Sequence, residues 1–236
     1  MEKIEHKVLD LESVELRPFG PSIVKFTMPQ HVIDSLNSCV ESIVEQELTG
    51  DLDHSDHLAG KVSQELLIPH DTLVENSAFF FSAANKFAMN QHGFFQSVQS
   101  DHHISNLFDE EKEALTIRIT SAWFVRSFAG DYNPLHLHPG CQLASFGYLK
   151  LPDWENEISN DSDDHFGMTH GCAQFAYGAG SSENLVRGTY TVKPKVGDFY
   201  IFPAWLNHCV YPFRSEGERR SLAINFAIIK SPKHPQ

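Results

Sequence analysis

LTIRITSAWFVRSF (115–128) opens a series of similar stretches: QLASFGYLKL (142–151), CAQFAYG (172–178), GTYTV (188–192), GDFYIFP (197–203) and RRSLAINFAII (219–229). Each is short and rich in β-branched and aromatic residues, and Gly, Pro and Asn punctuate the gaps, which is the pattern of strands joined by loops. No alternation of strands with crossover helices appears. A parallel sheet is therefore disfavoured, and an antiparallel sandwich or jelly roll is expected.

Toward the N-terminus the texture changes. One strand is expected over Val14–Met28, then a helix opening after Pro29 with Val32, Ile33, Leu36, Val40 and Ile43 on one stripe. A polar loop, DLDHSDH (51–57), leads to a second helical stretch from Asp71 to Phe95 that carries Leu73, Phe79, Phe80, Ala83, Phe87 and Phe94. So many large apolar side chains belong in a core. The expected organisation is mainly β with a helical N-terminal part. Residues 1–113 form a strand and helices packing on a core made by residues 114–236, all in one structural domain.

Length and charge narrow the function. A chain of 236 residues buries one substantial core. No run approaches the ~20 apolar residues of a membrane span, and the start, MEKIEHKVLDLESVEL, lacks the basic, apolar and small-residue order of a secretory leader. Cys39, Cys141, Cys172 and Cys209 are scattered without a CxxC pair, so reduced thiols in a cytoplasm are expected. A net charge of −13 disfavours a nucleic-acid partner, because that affinity comes from Lys and Arg replacing counterions. Electrostatics favour a small molecule or a basic protein segment. The acidic runs DEEKE (109–113) and NDSDD (160–164) read as solvated loops.

Chemistry concentrates in two segments. In GDYNPLHLHPG (130–140), His136 and His138 are two residues apart on an extended stretch, so both imidazoles can reach one metal. In VGDFYIFPAWLNHCV (196–210) a strand ends in a Pro turn that presents His208. Imidazole suits first-row transition metals, and three of them leave coordination positions open. On RRSLAINF, period-two alternation puts Arg219, Ser221, Ala223 and Asn225 on one face and Arg220, Leu222, Ile224 and Phe226 on the other. The small and polar set suits a cavity wall; the apolar set suits packing between layers, with the Phe-rich helix as its cover.

These segments carry two resemblances. Gly130, five residues, then HxH, together with Gly197-Asp198, Phe202-Pro203 and His208, resembles the two cupin motifs, although Gln142 stands where that pattern places a Glu. The ordered series Trp123, NPLHLHPG, LASFGYL, GDFYIFPAWLNH and ERRSLAINF, over roughly residues 123–226, resembles Fe(II)/2-oxoglutarate dioxygenases, especially their prolyl-hydroxylase-like branch. That resemblance implies a double-stranded β-helix with Fe(II) as cofactor and 2-oxoglutarate as cosubstrate. The reaction it implies is hydroxylation of a C–H bond, with release of succinate and CO2. It implies iron on His136, His138 and His208, and the cosubstrate side-chain carboxylate on Arg219 and Ser221, the ends of an Arg-x-Ser. Tyr148 occupies the position of the family tyrosine that touches the same carboxylate. Asn225 shares the Arg219 face and is placed with the cosubstrate as cavity wall, and Trp123 belongs either to the core or to the cavity wall.

One departure is plain: the family carries Asp or Glu as second ligand where this chain has His138. Either the site has three histidines, the favoured reading, or a carboxylate such as Asp131 or Glu183 enters from a loop. Two other classes stay open: a cupin-type isomerase or 2-oxoglutarate-independent dioxygenase on the same histidines, and a non-catalytic β-sandwich binding module. The expected substrate is a small molecule or an amino-acyl residue. Its specificity is expected to reside in the N-terminal segment and the loop 153–182. Oligomeric state stays open, a dimer included.

Overall fold

The computed structural model describes residues 9–16, 20–55, 60–98, 109, 111–153, 169–178 and 188–233. Strands β1 (Ser13–Leu16) and β2 (Ile23–Thr27) pair antiparallel, so the single strand expected over Val14–Met28 is two, turned around Gly20-Pro21. Helix α1 (Gln30–Glu45) follows Pro29 and buries Val32, Ile33, Leu36, Val40 and Ile43. Then come α2 (Thr49–Leu52), β3 (Gln64–Leu67), α3 (His70–Glu75) and α4 (Ser77–Val98). The helix expected from Asp71 to Phe95 is broken at Asn76. This buried amide donates to the Thr72 carbonyl and the Ser35 hydroxyl, closing α3 and tying it to α1.

Beyond these lie β4 (Glu113–Ser127), β5 (Asn133–His136), β6 (Leu143–Lys150), β7 (Ala173–Ala176) and β8 (Thr189–Val192). The chain ends with β9 (Asp198–Pro203), β10 (Asn207–Val210) and β11 (Arg219–Pro232). Among the described residues they form a 7-stranded sheet, β1-β2-β9-β6-β11-β4-β3, and a 4-stranded sheet, β5-β10-β7-β8, with antiparallel pairing throughout. Three strands from the N-terminal 113 residues are hydrogen-bonded into the large sheet, so that segment is part of the sheet as well as its cover.

Register assigns the two faces of the large sheet. One row runs Leu66, Phe124, Leu222, Gly147, Phe199 across β3, β4, β11, β6 and β9. It packs under α1 and α4 in one apolar cluster that includes Phe79, Phe80, Phe87, Ile224 and Phe226, with the Phe79 ring 5.4 Å from Phe199. Gly147 has no side chain because none fits: a Cβ there would stand 2.8 Å from Phe199 Cδ2 and 3.1 Å from Leu222 Cδ2. Where this face meets the middle of α1, at Asn37, it turns polar. Glu218 accepts from Arg126 Nε at 2.7 Å and from Arg220 Nη2 at 3.0 Å, and Arg220 Nη1 donates to Asn37 Oδ1 at 2.9 Å.

The other face looks toward the small sheet. Its rows are Glu65, Val125, Ser221, Tyr148 and then Leu67, Trp123, Ala223, Phe146, Tyr200. Phe175 of the small sheet lies 4.8 Å from Phe202 and 5.9 Å from Phe146, closing one end of the sandwich. The other end stays open as a cavity. Two opposed antiparallel sheets with this connectivity make a double-stranded β-helix, or jelly roll.

Candidate metal centre and active site

Two short strands position the histidines. β5 ends on His136, and β10 brings His208 directly opposite it in the pairing register. His138 lies two residues past β5, where its backbone N–H donates to the Ala204 carbonyl at 2.9 Å. The three rings converge, with centroids 4.2 Å apart for His136 and His208, 5.1 Å for His138 and His208, and 5.4 Å for His136 and His138. One ligand atom from each lies within 4.8 Å of the others.

Hydrogen bonds fix which nitrogen faces inward. His136 Nδ1 donates to the Pro134 carbonyl at 2.7 Å, His208 Nδ1 to the Leu206 carbonyl at 3.0 Å, and His138 Nδ1 to Asn225 Oδ1 at 2.8 Å. Each partner oxygen only accepts, so each Nδ1 carries the proton and each Nε2 presents a lone pair to the shared centre. Burial, with the neighbouring His136 and His138, lowers the His208 pKa to about 3, and burial lowers that of His138. Both are neutral at physiological pH, the state a metal requires.

The carboxylate alternatives fare differently. Asp131 is buried away from the triad, where one oxygen accepts from Ser63 N, Ser63 Oγ (2.6 Å) and Phe128 N. Glu183 lies outside the described residues. Gln142, at the cupin Glu position, is exposed and accepts from Ile228 N at 2.9 Å. Among the described residues, the clustered ligand set is three imidazoles.

A cavity of about 440 Å³ opens over the triad, within the range of small-molecule sites. Arg219, Ser221, Asn225 and Trp123 line it beside the histidines. Arg219 is 4% exposed, its guanidinium lies 5.2 Å over the Tyr148 ring, and among the described residues its Nε has no hydrogen-bond partner. The fully buried Tyr148 hydroxyl also lacks one. Burial pushes the Tyr148 pKa up to about 12, with the Arg219 charge opposing, so the phenol stays protonated and can donate. A buried guanidinium and a buried phenol with unused donors fit one anionic group, and a carboxylate matches both. Glu218 does not compete for Arg219, because it is held on the opposite face by Arg126 and Arg220.

Asn225, placed with the cosubstrate by its strand face, lines the cavity with its amide engaged at both ends: Oδ1 with His138 and Nδ2 donating to Ser121 Oγ at 3.0 Å. Two residues without any sequence signal also line the cavity, His54 and Glu65. Glu65 is 2% exposed and accepts from the Trp123 indole, while Trp123 stacks on His138 with centroids 5.9 Å apart and planes at 20°. Burial raises the Glu65 pKa to about 8. Among the described residues, no helix is long and apolar enough to cross a membrane.

A family profile described as "Putative 2OG-Fe(II) oxygenase" matches residues 121–225, from β4 through β11, the segment that holds all three histidines and Arg219. Among solved structures, the chain is similar to a Pseudomonas putida prolyl-4-hydroxylase, at 14% identity over 87% of this chain and 91% of that one, with a TM-score of 0.53. It is also similar to SnoK, a non-heme alpha-ketoglutarate-dependent carbocyclase from nogalamycin biosynthesis, at 10% identity over 86% and 78% of the two chains, also with a TM-score of 0.53. At these identities the likeness carries the fold. No curated protein matches the sequence. Profile match, fold and donor set agree on an oxygenase that depends on Fe(II) and 2-oxoglutarate.

Proposed function

We propose that this oxygenase hydroxylates a C–H bond of a small-molecule or amino-acyl substrate, with Fe(II) held by His136, His138 and His208 and 2-oxoglutarate anchored by Arg219. The observation that carries the reading is the pairing of three tautomer-locked imidazoles with the buried Arg219, whose Nε is unsatisfied, in one cavity, with the unpartnered Tyr148 hydroxyl belonging to the ring beneath that guanidinium. When bound, iron and 2-oxoglutarate supply the oxidising chemistry: O2 is consumed, 2-oxoglutarate loses CO2 to become succinate, and one oxygen atom enters the substrate.

The residues of the chain bind, orient and exclude water. Arg219 grips the far carboxylate, with the Ser221 and Tyr148 hydroxyls as further donors, and so sets how the opposite end of the cosubstrate meets the metal. Asn225 is assigned to orienting His138 through Nδ1, which leaves Ser221 and Tyr148 as the helpers of Arg219. Pro134 and Leu206 do the same for His136 and His208 with backbone carbonyls. Phe146, Ala223 and Val125 give the cavity an apolar wall. We infer a division of labour within one structural domain: residues 114–236 carry the metal and cosubstrate, and residues 1–113 cover the sheet and extend it at the substrate end through β3. Most of the loop 153–182 lies outside the described residues. The same fold carries a hydroxylase and a carbocyclase among its relatives, so hydroxylation rests here on the resemblance to the prolyl-hydroxylase-like branch. The scattered free cysteines support a reducing compartment such as the cytoplasm.

The test is anaerobic titration of the protein with Fe(II), or Mn(II) in its place, followed by 2-oxoglutarate. A screen for substrate-stimulated succinate formation comes next. One metal equivalent and metal-dependent 2-oxoglutarate binding are expected. Full metal occupancy in His136→Ala and His208→Ala, or no 2-oxoglutarate binding to the metal-loaded chain, would overturn the reading.

A further inference from the structure

Of the described side chains that line the cavity, Arg219 is the one guanidinium and Glu65 the one carboxyl. They stand on strands two apart in the sheet, β11 and β3, with β4 between them and a two-residue offset in register, so their backbones are separated by roughly 12 Å. A dianionic cosubstrate drawn to Arg219 gains nothing from an acidic side chain. The Glu65 end is therefore left to the second substrate. We propose that Glu65 is the recognition point for a cationic group, a protonated amine or a guanidinium, on the substrate that is oxidised. This deepens the oxygenase reading and rests on it.

The surroundings of Glu65 fit that role. A carboxylate offers about four acceptor sites, and the Trp123 indole N–H donates to one of them. Among the described residues no Lys or Arg forms an ion pair with it; Arg126 on the neighbouring strand is taken up by Glu218 and Gln64 on the opposite face. The acidic group acting on it, Asp53, repels its charge and likewise favours an incoming cation. Its backbone is fixed, since Glu65 N donates to Ser55 Oγ at 3.0 Å and its carbonyl accepts from His54 N at 3.0 Å. Buried without a cation, the carboxyl is held near a pKa of 8 by burial, with Trp123 opposing and Asp53 reinforcing. A cation seated against it would restore the carboxylate and complete its hydrogen bonds. Trp123 links this end to the metal centre, because the same indole stacks on His138. A net charge of −13 further favours a basic substrate over an acidic one.

The test uses the full chain loaded with Mn(II) and 2-oxoglutarate, and two probes of the same shape: n-butylguanidinium, which is charged, and n-butylurea, which is not. Neither chelates the metal as an amino acid would. The readout is the relaxation of probe protons by the bound Mn(II), which reports both affinity and nearness to the centre. Wild type should favour the cation by about tenfold or more, the scale of one charge-assisted hydrogen bond, and Glu65→Gln should abolish that preference. Equal binding of the two probes to wild type, no binding of the cation, or a preference retained in Glu65→Gln would overturn the proposal. The wild-type comparison decides even where the variant fails to fold. If wild type binds neither Mn(II) nor 2-oxoglutarate, the oxygenase reading fails; if it binds both without preferring the cation, only the role of Glu65 fails.

Discussion

Arg219 and Arg220 are neighbours in sequence and opposites in the fold, and replacing each with Ala separates cosubstrate binding from folding. Arg219 is 4% exposed on the cavity face with an unsatisfied Nε, so its charge meets a carboxylate in a largely water-free setting. Losing one partner of such a buried pair costs about 2–5 kcal/mol, a thirtyfold to several-thousandfold loss of affinity. The middle of that range is expected for Arg219→Ala, because the Tyr148 hydroxyl and the metal still hold parts of the cosubstrate. Arg220→Ala touches the other face. It leaves buried Glu218 with Arg126 and a longer contact to Lys150 at 3.7 Å, and removes the link to Asn37 on α1. Stripping a buried ion of its partner costs ~3–5 kcal/mol, and the retained Arg126 contact brings the expectation down to about 2–3 kcal/mol. At 2–4 °C per kcal/mol for a chain of this size, Tm should fall by roughly 5–10 °C. Isothermal titration of the Mn(II)-loaded proteins with 2-oxoglutarate, paired with thermal unfolding, measures both axes. Arg219→Ala should lose affinity and keep its Tm, and Arg220→Ala should do the reverse. Equal, near-wild-type affinities for the two variants would refute both the cosubstrate assignment and the division of the strand faces.

The remaining expectations concern the metal, two carboxyls and the core. Asn225→Ala should weaken Mn(II) binding by about 10–100-fold, the usual loss when a ligand's orienting partner goes, and metal titration checks this. Glu65 has its folded pKa raised, so its stabilising contribution is complete below its unfolded value of 4.5 and is lost as pH rises through about 8. Glu65→Gln should therefore raise Tm, by about 2–4 °C for each kcal/mol recovered, with a gain that grows from pH 5 to pH 8; a gain independent of pH would contradict the argument. Burial pushes the Glu218 carboxyl up, and its bonds to Arg220 and Arg126 more than reverse this, holding it near 2. Its contribution, about 3 kcal/mol, is present above pH 4.5 and disappears as pH falls toward 2, so acid unfolding of Glu218→Gln should lack that segment of the wild-type curve. Gly147→Ala should cost about 1–3 kcal/mol in denaturant unfolding, because its Cβ meets Phe199.

What was legible in the sequence followed from periodicity and spacing. The long strands β4, β6, β9 and β11 showed as alternating runs, and the alternation on β11 separated Arg219 from Arg220 before any contact was known. The helical stripe of α1 was legible for the same reason. The four-residue strands β3, β5 and β10 were not, since NPLH, NHCV and QELL are too short for a period to emerge and β5 contains a proline. Two of these carry histidines of the candidate metal centre, legible from HxH spacing and a Pro turn instead. Asn76 breaks the expected long helix through a side-chain bond to Ser35, a residue 41 positions away, which no local pattern encodes. The engagement of Asn225 with His138 spans 87 positions and is equally invisible. Glu65 carries no sequence signal because its place depends wholly on register: only the pairing of β3 with β4 brings it level with Val125 and onto the cavity wall.

The three-histidine centre also changes the electrostatics of the cavity. Each orienting bond ends on a neutral oxygen, two backbone carbonyls and one amide, so among the described residues neither the ligands nor their supports bring negative charge to the metal. A divalent ion held there would keep both its charges and, with Arg219, would give the cavity two positive poles for a dianionic cosubstrate. Whatever affinity the metal lends the cosubstrate, the cosubstrate must return to the metal by the same factor. A mobile carboxylate nearby would compete for that ion. Glu65 is kept from doing so by its place on the edge-side strand β3 and by the Trp123 indole, whose N–H holds the carboxyl while its ring covers His138. The same indole that keeps the acid off the metal keeps it on the cavity wall, where a cation arriving with the second substrate would meet it.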